Sequence, residues 1–240
     1  MTSCRLARAL AILTLVLIGV AESSAQLSEG GIGLSVALVP VNFEFDHSDP
    51  NVAFSFDEAV YGIVFTRAGL NASVYRGSST NSTTELDLFD VNLSVFGELL
   101  QEQLEGSAVY VPIMLHSTYR RVRRIEAESE FAAFEYTGIG LGAGIGLRHQ
   151  QGRLLATAHA MPGIGLATRS FGTSGGRTTL LDGDVQVSLD QAFGRLGLIL
   201  GYGFRWQSWR VGGPDAFDAA GAGKVTYDGI NHALRVGLSW

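Results

Sequence analysis

The chain has 240 residues, of which 46% are hydrophobic and 17% charged, and its formal net charge is −6 at pH 7. This composition is apolar for a soluble protein. Beyond the N-terminus, however, no stretch reaches the ~20 consecutive apolar residues of a membrane-spanning helix. The acidic balance argues against a general nucleic-acid-binding surface, and the length suits one all-β domain. We therefore expect the hydrophobic residues to follow an alternating, strand-like pattern.

The N-terminal 25 residues are typical of a cleaved secretory signal peptide. Arg5 and Arg8 precede the uncharged apolar segment 9–20, and small residues then provide a cleavage site before Gln26. A retained membrane anchor is the alternative, although the apolar segment is short for one. Cleavage would remove Cys4, the only cysteine, so we expect neither a disulfide nor a cysteine metal site in the mature domain. It would also remove two arginines and one glutamate, leaving 15 basic and 22 acidic residues, or a charge of −7.

The predicted mature domain, 26–240, alternates between apolar and polar or small residues with the period of a β-strand. The clearest segment carries one wholly apolar face, formed by Leu196, Leu198, Leu200, Tyr202, Phe204 and Trp206. The intervening residues of that segment are small at first and then polar. The same alternation recurs along the chain and predicts ten strands, at 31–46, 57–67, 69–77, 85–97, 107–121, 133–148, 153–169, 178–190, 194–210 and 226–240.

The links between these predicted strands alternate in length. Short links are predicted near Ala68, at Glu98–Gly106, at 149–152 and at 191–193, and longer polar or glycine-rich loops separate the other strands. This alternation is typical of a transmembrane up-and-down antiparallel β-barrel, with short periplasmic turns and long outer loops. Eight strands, with 57–77 or 85–121 divided differently, is the alternative. Segment Glu98–Gly106 is also compatible with a short helical turn.

Alternation alone does not distinguish a membrane barrel from a soluble one, because the two differ only in which face points outward. The signal peptide, the aromatic residues that end the apolar face and the C-terminal segment all favour the membrane barrel. Closure would give every backbone N–H and C=O a partner inside lipid. A ring of about ten strands leaves a lumen little wider than its side chains fill.

Two segments carry a resemblance to a known class of protein. Residues 230–240, INHALRVGLSW, resemble the last strand of bacterial outer-membrane barrels, which end in an aromatic residue preceded by alternating apolar positions. Residues 109–119, VYVPIMLHSTY, are similar to a strand of small PorT-like and OmpA-like barrels. The resemblance implies an outer-membrane location and recognition by the barrel-assembly machinery through Leu234, Val236, Leu238 and Trp240. It implies no catalytic residues, and no peptidoglycan-binding domain is expected after the barrel.

Several polar residues are predicted to face the lumen, where buried charges need partners. They are Asp90, Asp182, Asp184, Arg205, Arg235, His116 and His159. The first interpretation is a paired network that fills the interior, and the second is a conductive path for small solutes or ions.

Four arginines lie at the start of a predicted outer loop: Arg120, Arg121, Arg123 and Arg124. They are followed by Glu126, Glu128 and Glu130, so a solvated and self-paired loop is the simple interpretation. The functional alternative is contact with lipopolysaccharide phosphates, which suit the forked guanidinium group.

One group of residues suggests catalysis. If the first and last strands pair, Asp46, His47 and Asp49 lie near Asp228 and His232 at the outer rim, where acid and histidine groups would activate a water or hold a metal weakly. Ordinary loop residues explain the same group. We therefore expect a non-enzymatic barrel without metal or organic cofactor, acting as a narrow porin-like channel or as a structural surface protein. The alternatives are a barrel enzyme acting on lipid A or peptides and a soluble periplasmic ligand-binding barrel.

Overall fold

The structure, a computed structural model, describes residues 32–47, 53–79, 85–125, 133–169, 174–211 and 225–240. The proposed signal peptide lies outside these residues. Within them no helix is long and apolar enough to cross a membrane. The elements are strands, with these bounds: β1 Gly33–His47, β2 Phe54–Arg67, β3 Leu70–Ser79, β4 Leu86–Leu104, β5 Ser107–Arg124, β6 Ala133–Ala143, β7 Ile145–Gln151, β8 Leu154–Arg169, β9 Ser174–Phe193, β10 Leu196–Val211 and β11 Val225–Ser239.

All strand pairs are antiparallel, consecutive strands other than β6 and β7 pair with each other, and β1 pairs with β11, so the sheet closes into a ring. β6 and β7 occupy one position in that ring, because both pair with β5 and β8 and only Gly144 separates them. The all-β, up-and-down barrel of ten ring positions is thus confirmed, and the eight-strand alternative is wrong. Segments 57–77 and 85–121 each contribute two strands.

Four tight turns join strands at one end of the ring, which we call the turn end. Gly69, Gly106, Gly152 and Gly194 occur in these turns with positive φ, a conformation that glycine adopts without steric cost. The short link predicted at Glu98–Gly106 is wrong over most of its length, and the segment does not form the helical turn with which it is compatible, because β4 continues as a strand to Leu104. A register shift between Glu98 and Gln101 accommodates one extra residue in β4, as a β-bulge does.

The opposite end, which we call the loop end, is where the longer predicted connections begin. The strands extend into these predicted loops, since β2 starts at Phe54, β5 runs to Arg124 and β9 starts at Ser174. The segments between the strand ends lie outside the described residues. The alternation of inward and outward side chains therefore continues further towards the loop end than the sequence suggested.

Towards the turn end, the outer wall carries a belt of exposed apolar side chains, as the membrane-barrel pattern predicts. The exposed fraction reaches 72% at Ile164 and 51% at Leu200. Other members of this outer belt are Leu34, Val36, Leu38, Ile63, Leu141, Ile145, Leu147, Leu166, Val185, Val187, Leu189, Leu196, Leu234, Val236 and Leu238.

The polarity of the wall reverses near the loop end. β1 is the clearest case, because its outward residues change from Leu38 to Asn42, Glu44 and Asp46, while its inward Phe43 and Phe45 are buried. The loop end of the lumen consequently holds an apolar core, whose large members are Phe43, Phe45, Phe56, Leu86, Leu88, Tyr136, Trp209 and Tyr227. The polar lumen expected from the sequence is restricted to the middle and the turn end.

Candidate functional site: the barrel lumen

The structure places all seven predicted lumen residues on inward positions of the ring. Their side chains are buried or half-buried. The two arginines and the three aspartates form ion pairs, and His159 lies close to one of these carboxylates. They occupy the middle of the lumen, which we call the ionic layer. The apolar core lies beyond this layer on the loop side.

The first cluster of the ionic layer joins β8, β9 and β10. Arg205 donates from Nε to Oδ2 of Asp182 at 2.8 Å, and a second guanidinium nitrogen lies 2.7 Å from the same oxygen. His159 Nε2 approaches the other oxygen of Asp182 at 3.6 Å. Arg205 also donates to Asn92 Oδ1 at 2.9 Å, and this bond crosses the lumen to β4. Asp184, two residues along β9, pairs with Arg235 on β11.

The second cluster surrounds Arg120, a residue that sequence reasoning placed wrongly. Arg120 was expected at the outer surface, but it points inward and is 3% exposed, so it does not contact lipopolysaccharide. It pairs with Asp90 and donates to the Tyr227 hydroxyl across the lumen. Its guanidinium carbon lies 5.3 Å from the centre of the Phe43 ring. The signal was present in the sequence, because the alternation of β5 continues through this position and gives Arg120 the parity of His116.

His116 stands apart from these clusters. It is fully buried, and among the described residues neither of its ring nitrogens has a hydrogen-bond partner. Gly140 lies opposite it on β6, where a Cβ atom would make an ordinary contact of 3.5 Å with the imidazole and a tighter one of 3.0 Å with the carbonyl oxygen of Ile164. The glycines of β6 thus lie on the lumen side, next to the side chains of β5.

The apolar core closes the loop end of the lumen with stacked rings. The Phe43 and Phe56 rings stack with their centroids 5.4 Å apart, and the Trp209 and Tyr227 rings stack at 4.1 Å. Tyr136 of β6 also stacks on Trp209. These residues come from β1, β2, β6, β10 and β11, so the core spans the ring.

A cavity of about 320 Å³ occupies the turn end of the lumen. It extends from the turn residues Ala68 and Gly69 to Asp182 and Arg235 of the ionic layer. Near the turns an ion pair lines it, with an Arg148 nitrogen 2.6 Å from Glu98 Oε1. The lumen is therefore a cavity lined by both polar and apolar residues at one end and a packed interior at the other.

The rim group proposed for catalysis is not assembled as expected. β1 does pair with β11, and Asp46 accepts a hydrogen bond from Thr226 at 3.5 Å. His232, however, lies on the outer wall and shares a 2.7 Å hydrogen bond with the Tyr202 hydroxyl. It is four residues from Asp228, or roughly 13 Å along the strand. The His47 side chain and Asp49 lie outside the described residues.

The remaining predicted residues lie on the outer wall or at the rim. Arg121 and Arg123 point outward at the loop end, whereas Arg124 donates to the carbonyl oxygen of Ala53 at 3.3 Å. Arg121 also lies over the Phe89 ring at 5.8 Å. The four residues of the proposed assembly signal, Leu234, Val236, Leu238 and Trp240, are exposed on the outside of β11 and at its end.

Within the described part of the chain, no group of three or more histidine, cysteine or acidic residues is arranged to hold a metal ion. No protein-family model matches the chain, and no curated protein matches it.

Several solved structures are similar to this chain, and they include outer-membrane β-barrels. The outer membrane protease OmpT from Escherichia coli is 8% identical, with a TM-score of 0.44, and the match covers 88% of this chain and 96% of OmpT. Neisserial surface protein A is 11% identical, with a TM-score of 0.33, over 85% of this chain and 94% of that protein. The translocator domain of the Neisseria meningitidis autotransporter NalP is also 11% identical, with a TM-score of 0.33, over 97% and 96%. Matches at these identities and TM-scores do not indicate an activity.

Proposed function

We propose that this chain is an integral barrel of the bacterial outer membrane, non-enzymatic, with a lumen closed by its own side chains. In this role it acts as a structural or surface protein and not as an open channel. The finer resemblance to PorT-like and OmpA-like barrels, the signal peptide, and contacts with lipopolysaccharide and the assembly machinery belong to the same proposal.

The outer belt supports the membrane location. On β10 the outward apolar run extends from Leu196 to Trp206, a span of about 33 Å along a strand. At the 35–45° tilt usual in membrane barrels, this corresponds to a height of roughly 25 Å, which matches the apolar band of such barrels. Exposed apolar surface that encircles a protein is far larger than the patches of soluble monomers. A soluble periplasmic barrel would hide these side chains inside.

The observation that carries the closed lumen is the succession of two filled layers. The ionic layer includes the Arg205–Asn92 bond across the lumen, and the stacked rings around Trp209 and Tyr227 lie beyond it. A permeating ion would have to displace both layers. An open pore would instead present a continuous wet path between the two ends.

The position of His232 supports the non-enzymatic part of the proposal. Its ring is engaged by Tyr202 on the outer wall, away from the acidic residues with which it would have to act. General acid–base catalysis needs such groups within hydrogen-bond reach of one substrate.

Fractionation tests the location. We expect the full chain, expressed in a diderm bacterium, to enter outer membranes and to migrate differently on gels before and after boiling. Soluble periplasmic protein without a mobility shift would refute the membrane barrel.

Planar-bilayer recording tests the closed lumen. We expect no steady conductance from the wild-type barrel, and measurable conductance from a Trp209→Ala/Tyr227→Ala/Arg205→Ala variant, which removes two stacked rings of the apolar core and the Arg205–Asn92 bond of the ionic layer. The variant must first pass the same gel test. A steady conductance from the wild-type barrel would contradict the closed lumen and favour the narrow channel instead.

A further inference from the structure

Two arginines face each other on the outer wall at the loop end. Arg177 of β9 and Arg210 of β10 are directly opposite in the strand register, and both are exposed. Their Cβ atoms are consequently about 4.5–5.5 Å apart. Like charges at such a position destabilise a sheet unless an anion lies between them.

No carboxylate of the described residues neutralises this arginine pair. Neither Arg177 nor Arg210 forms an ion pair with another residue in the described part of the chain. The residues opposite them on the flanking strands are Leu166 and Thr226, which are uncharged. Asp228 is diagonal to Arg210, and one of its oxygens accepts the Trp206 indole N–H at 2.8 Å.

The arginine pair lies where the outer belt ends. Leu166, a belt residue on β8, is directly across from Arg177 and is half exposed. On β10, Trp206 precedes Arg210 by four residues, which is roughly 10 Å of height in a tilted strand. The headgroup region outside the hydrocarbon core is about 5–8 Å deep. Measured from Trp206, the backbone of Arg210 lies just beyond this region, and its long side chain can extend back to the level of the lipid phosphates, as arginine does at membrane interfaces, given the proposed membrane location.

A β-bulge creates this juxtaposition. Leu196 pairs with Phe193 at the turn end, but from Leu198 onward the partners are displaced by two residues along β9, next to Gln191 with its φ of 52°. Without the displacement, Arg210 would face Thr179 instead of Arg177. Bulges that re-aim side chains are characteristic of functional positions in sheets.

We infer that Arg177 and Arg210 form a binding site for a lipid A phosphate of lipopolysaccharide in the outer leaflet. Two forked guanidinium groups supply several N–H donors to the phosphate oxygens, and each such charge-assisted bond is stronger than a neutral one. The acyl chains would then extend along Leu166 and Ile164. This inference depends on the proposed function, because it requires that the outer belt lies in the membrane.

The test uses the full barrel folded in a neutral detergent, with the midpoint of its boiling-induced gel shift as the readout. We expect lipopolysaccharide to raise this midpoint, and dephosphorylated lipopolysaccharide or inorganic phosphate to raise it much less. In the Arg177→Gln/Arg210→Gln variant we expect apparent lipopolysaccharide affinity to fall about tenfold or more, which corresponds to one lost charge-assisted hydrogen bond.

Two matched controls remove an exposed outer arginine elsewhere. Arg76→Gln acts at the loop end, where Arg76 already has Asp87 as a partner at 3.6 Å, and Arg67→Gln acts at the turn end. Both should keep the wild-type response. An equal response from the double variant, or equal protection by inorganic phosphate, would overturn the inference. A wild-type barrel that inserts and shifts on gels but ignores lipopolysaccharide would refute this site while leaving the proposed function intact.

Discussion

Replacement of Asp90 by asparagine tests whether the ionic layer holds the barrel together. Asp90 accepts hydrogen bonds from Arg120 Nε at 3.0 Å, from a second nitrogen of Arg120 and from Asn92 Nδ2 at 3.2 Å. The exposed fractions of the two paired side chains are 1% for Asp90 and 4% for Arg120. Asn preserves the shape of the side chain and removes its charge, so the guanidinium of Arg120 is left buried without a counter-ion.

The size of the effect follows from that burial. Removal of one partner of a buried ion pair costs about 3–5 kcal/mol. Arg120 still donates to Tyr227 and still packs on Phe43, so we expect Asp90→Asn to lower the free energy of unfolding by about 3 kcal/mol. Replacement of both partners, as Asp90→Leu/Arg120→Met, should cost much less, because no isolated charge remains.

The assay is reversible unfolding by urea in detergent micelles, followed by the gel shift between folded and unfolded forms. A control on the same strand is Asp87→Asn, since Asp87 pairs at 3.6 Å with an Arg76 side chain that is 74% exposed. Exposed pairs contribute at most about 1 kcal/mol. If Asp90→Asn costs no more than Asp87→Asn, the ionic layer is hydrated and the reasoning from burial fails.

Two further pairs of substitutions test the outer belt and the close packing of the strands. Leu200→Arg, near the middle of the outer belt on β10, should lower the free energy of unfolding in lipid by about 2–4 kcal/mol. Its control, Leu104→Arg at the turn end, should lower this free energy by only about 0–1 kcal/mol. Equal effects of the two substitutions would place the belt outside the bilayer. Gly144→Val should prevent formation of the heat-modifiable form, because its Cβ would overlap the backbone at Ala160. Gly183→Val, with its nearest neighbour 3.7 Å from a Cβ atom, should fold, and identical behaviour of the two would contradict this packing.

The ring could be predicted from the sequence because its determinants are local. Alternation with period 2 locates strands, and the glycines of the turn end, such as Gly69 and Gly194, mark where a strand reverses. Most predicted strands overlap the observed ones closely, and the errors lie at the ends. Near the loop end the sequence predicts loops where strands continue; for example, the fifth predicted strand ends at residue 121, whereas β5 runs to Arg124.

The reversal of polarity near the loop end has a signal in the sequence, although the predicted strands do not include it. In β1 the apolar residues shift phase between Leu38 and Val39, from even positions to the odd positions that end in Phe43 and Phe45. Such a phase shift within one strand means that the apolar side chains point outward before the shift and into the lumen after it. The lumen residues could be predicted because they lie on the face that alternates with the apolar one, whereas Arg120 was grouped with the arginines of the outer loop although it lies within the predicted strand 107–121.

The pairing of Arg177 with Arg210 was beyond sequence reasoning. It depends on a displacement of two residues at the bulge beside Gln191, and alternation is unchanged by an even shift. The bulge between Glu98 and Gln101 shifts the register of β4 by one residue, and it brings Asp90 opposite Arg120 instead of Arg121. Registers of this kind are set by turn geometry and packing together.

In the proposed membrane location, the reversal of polarity also determines how deeply the barrel sits in the bilayer. A thicker membrane cannot be matched by drawing more wall into lipid, because Glu44, Asp46 and Arg210 would then enter the hydrocarbon. The lipid must deform instead, at a cost of a fraction of a kcal/mol for each ångström of mismatch. Beyond that boundary the loop end has its own apolar core and a polar exterior, so it resembles a water-soluble cap raised above the membrane surface. We therefore expect the folding efficiency of the barrel to depend on bilayer thickness, and to be greatest where the hydrocarbon thickness equals the height of the outer belt.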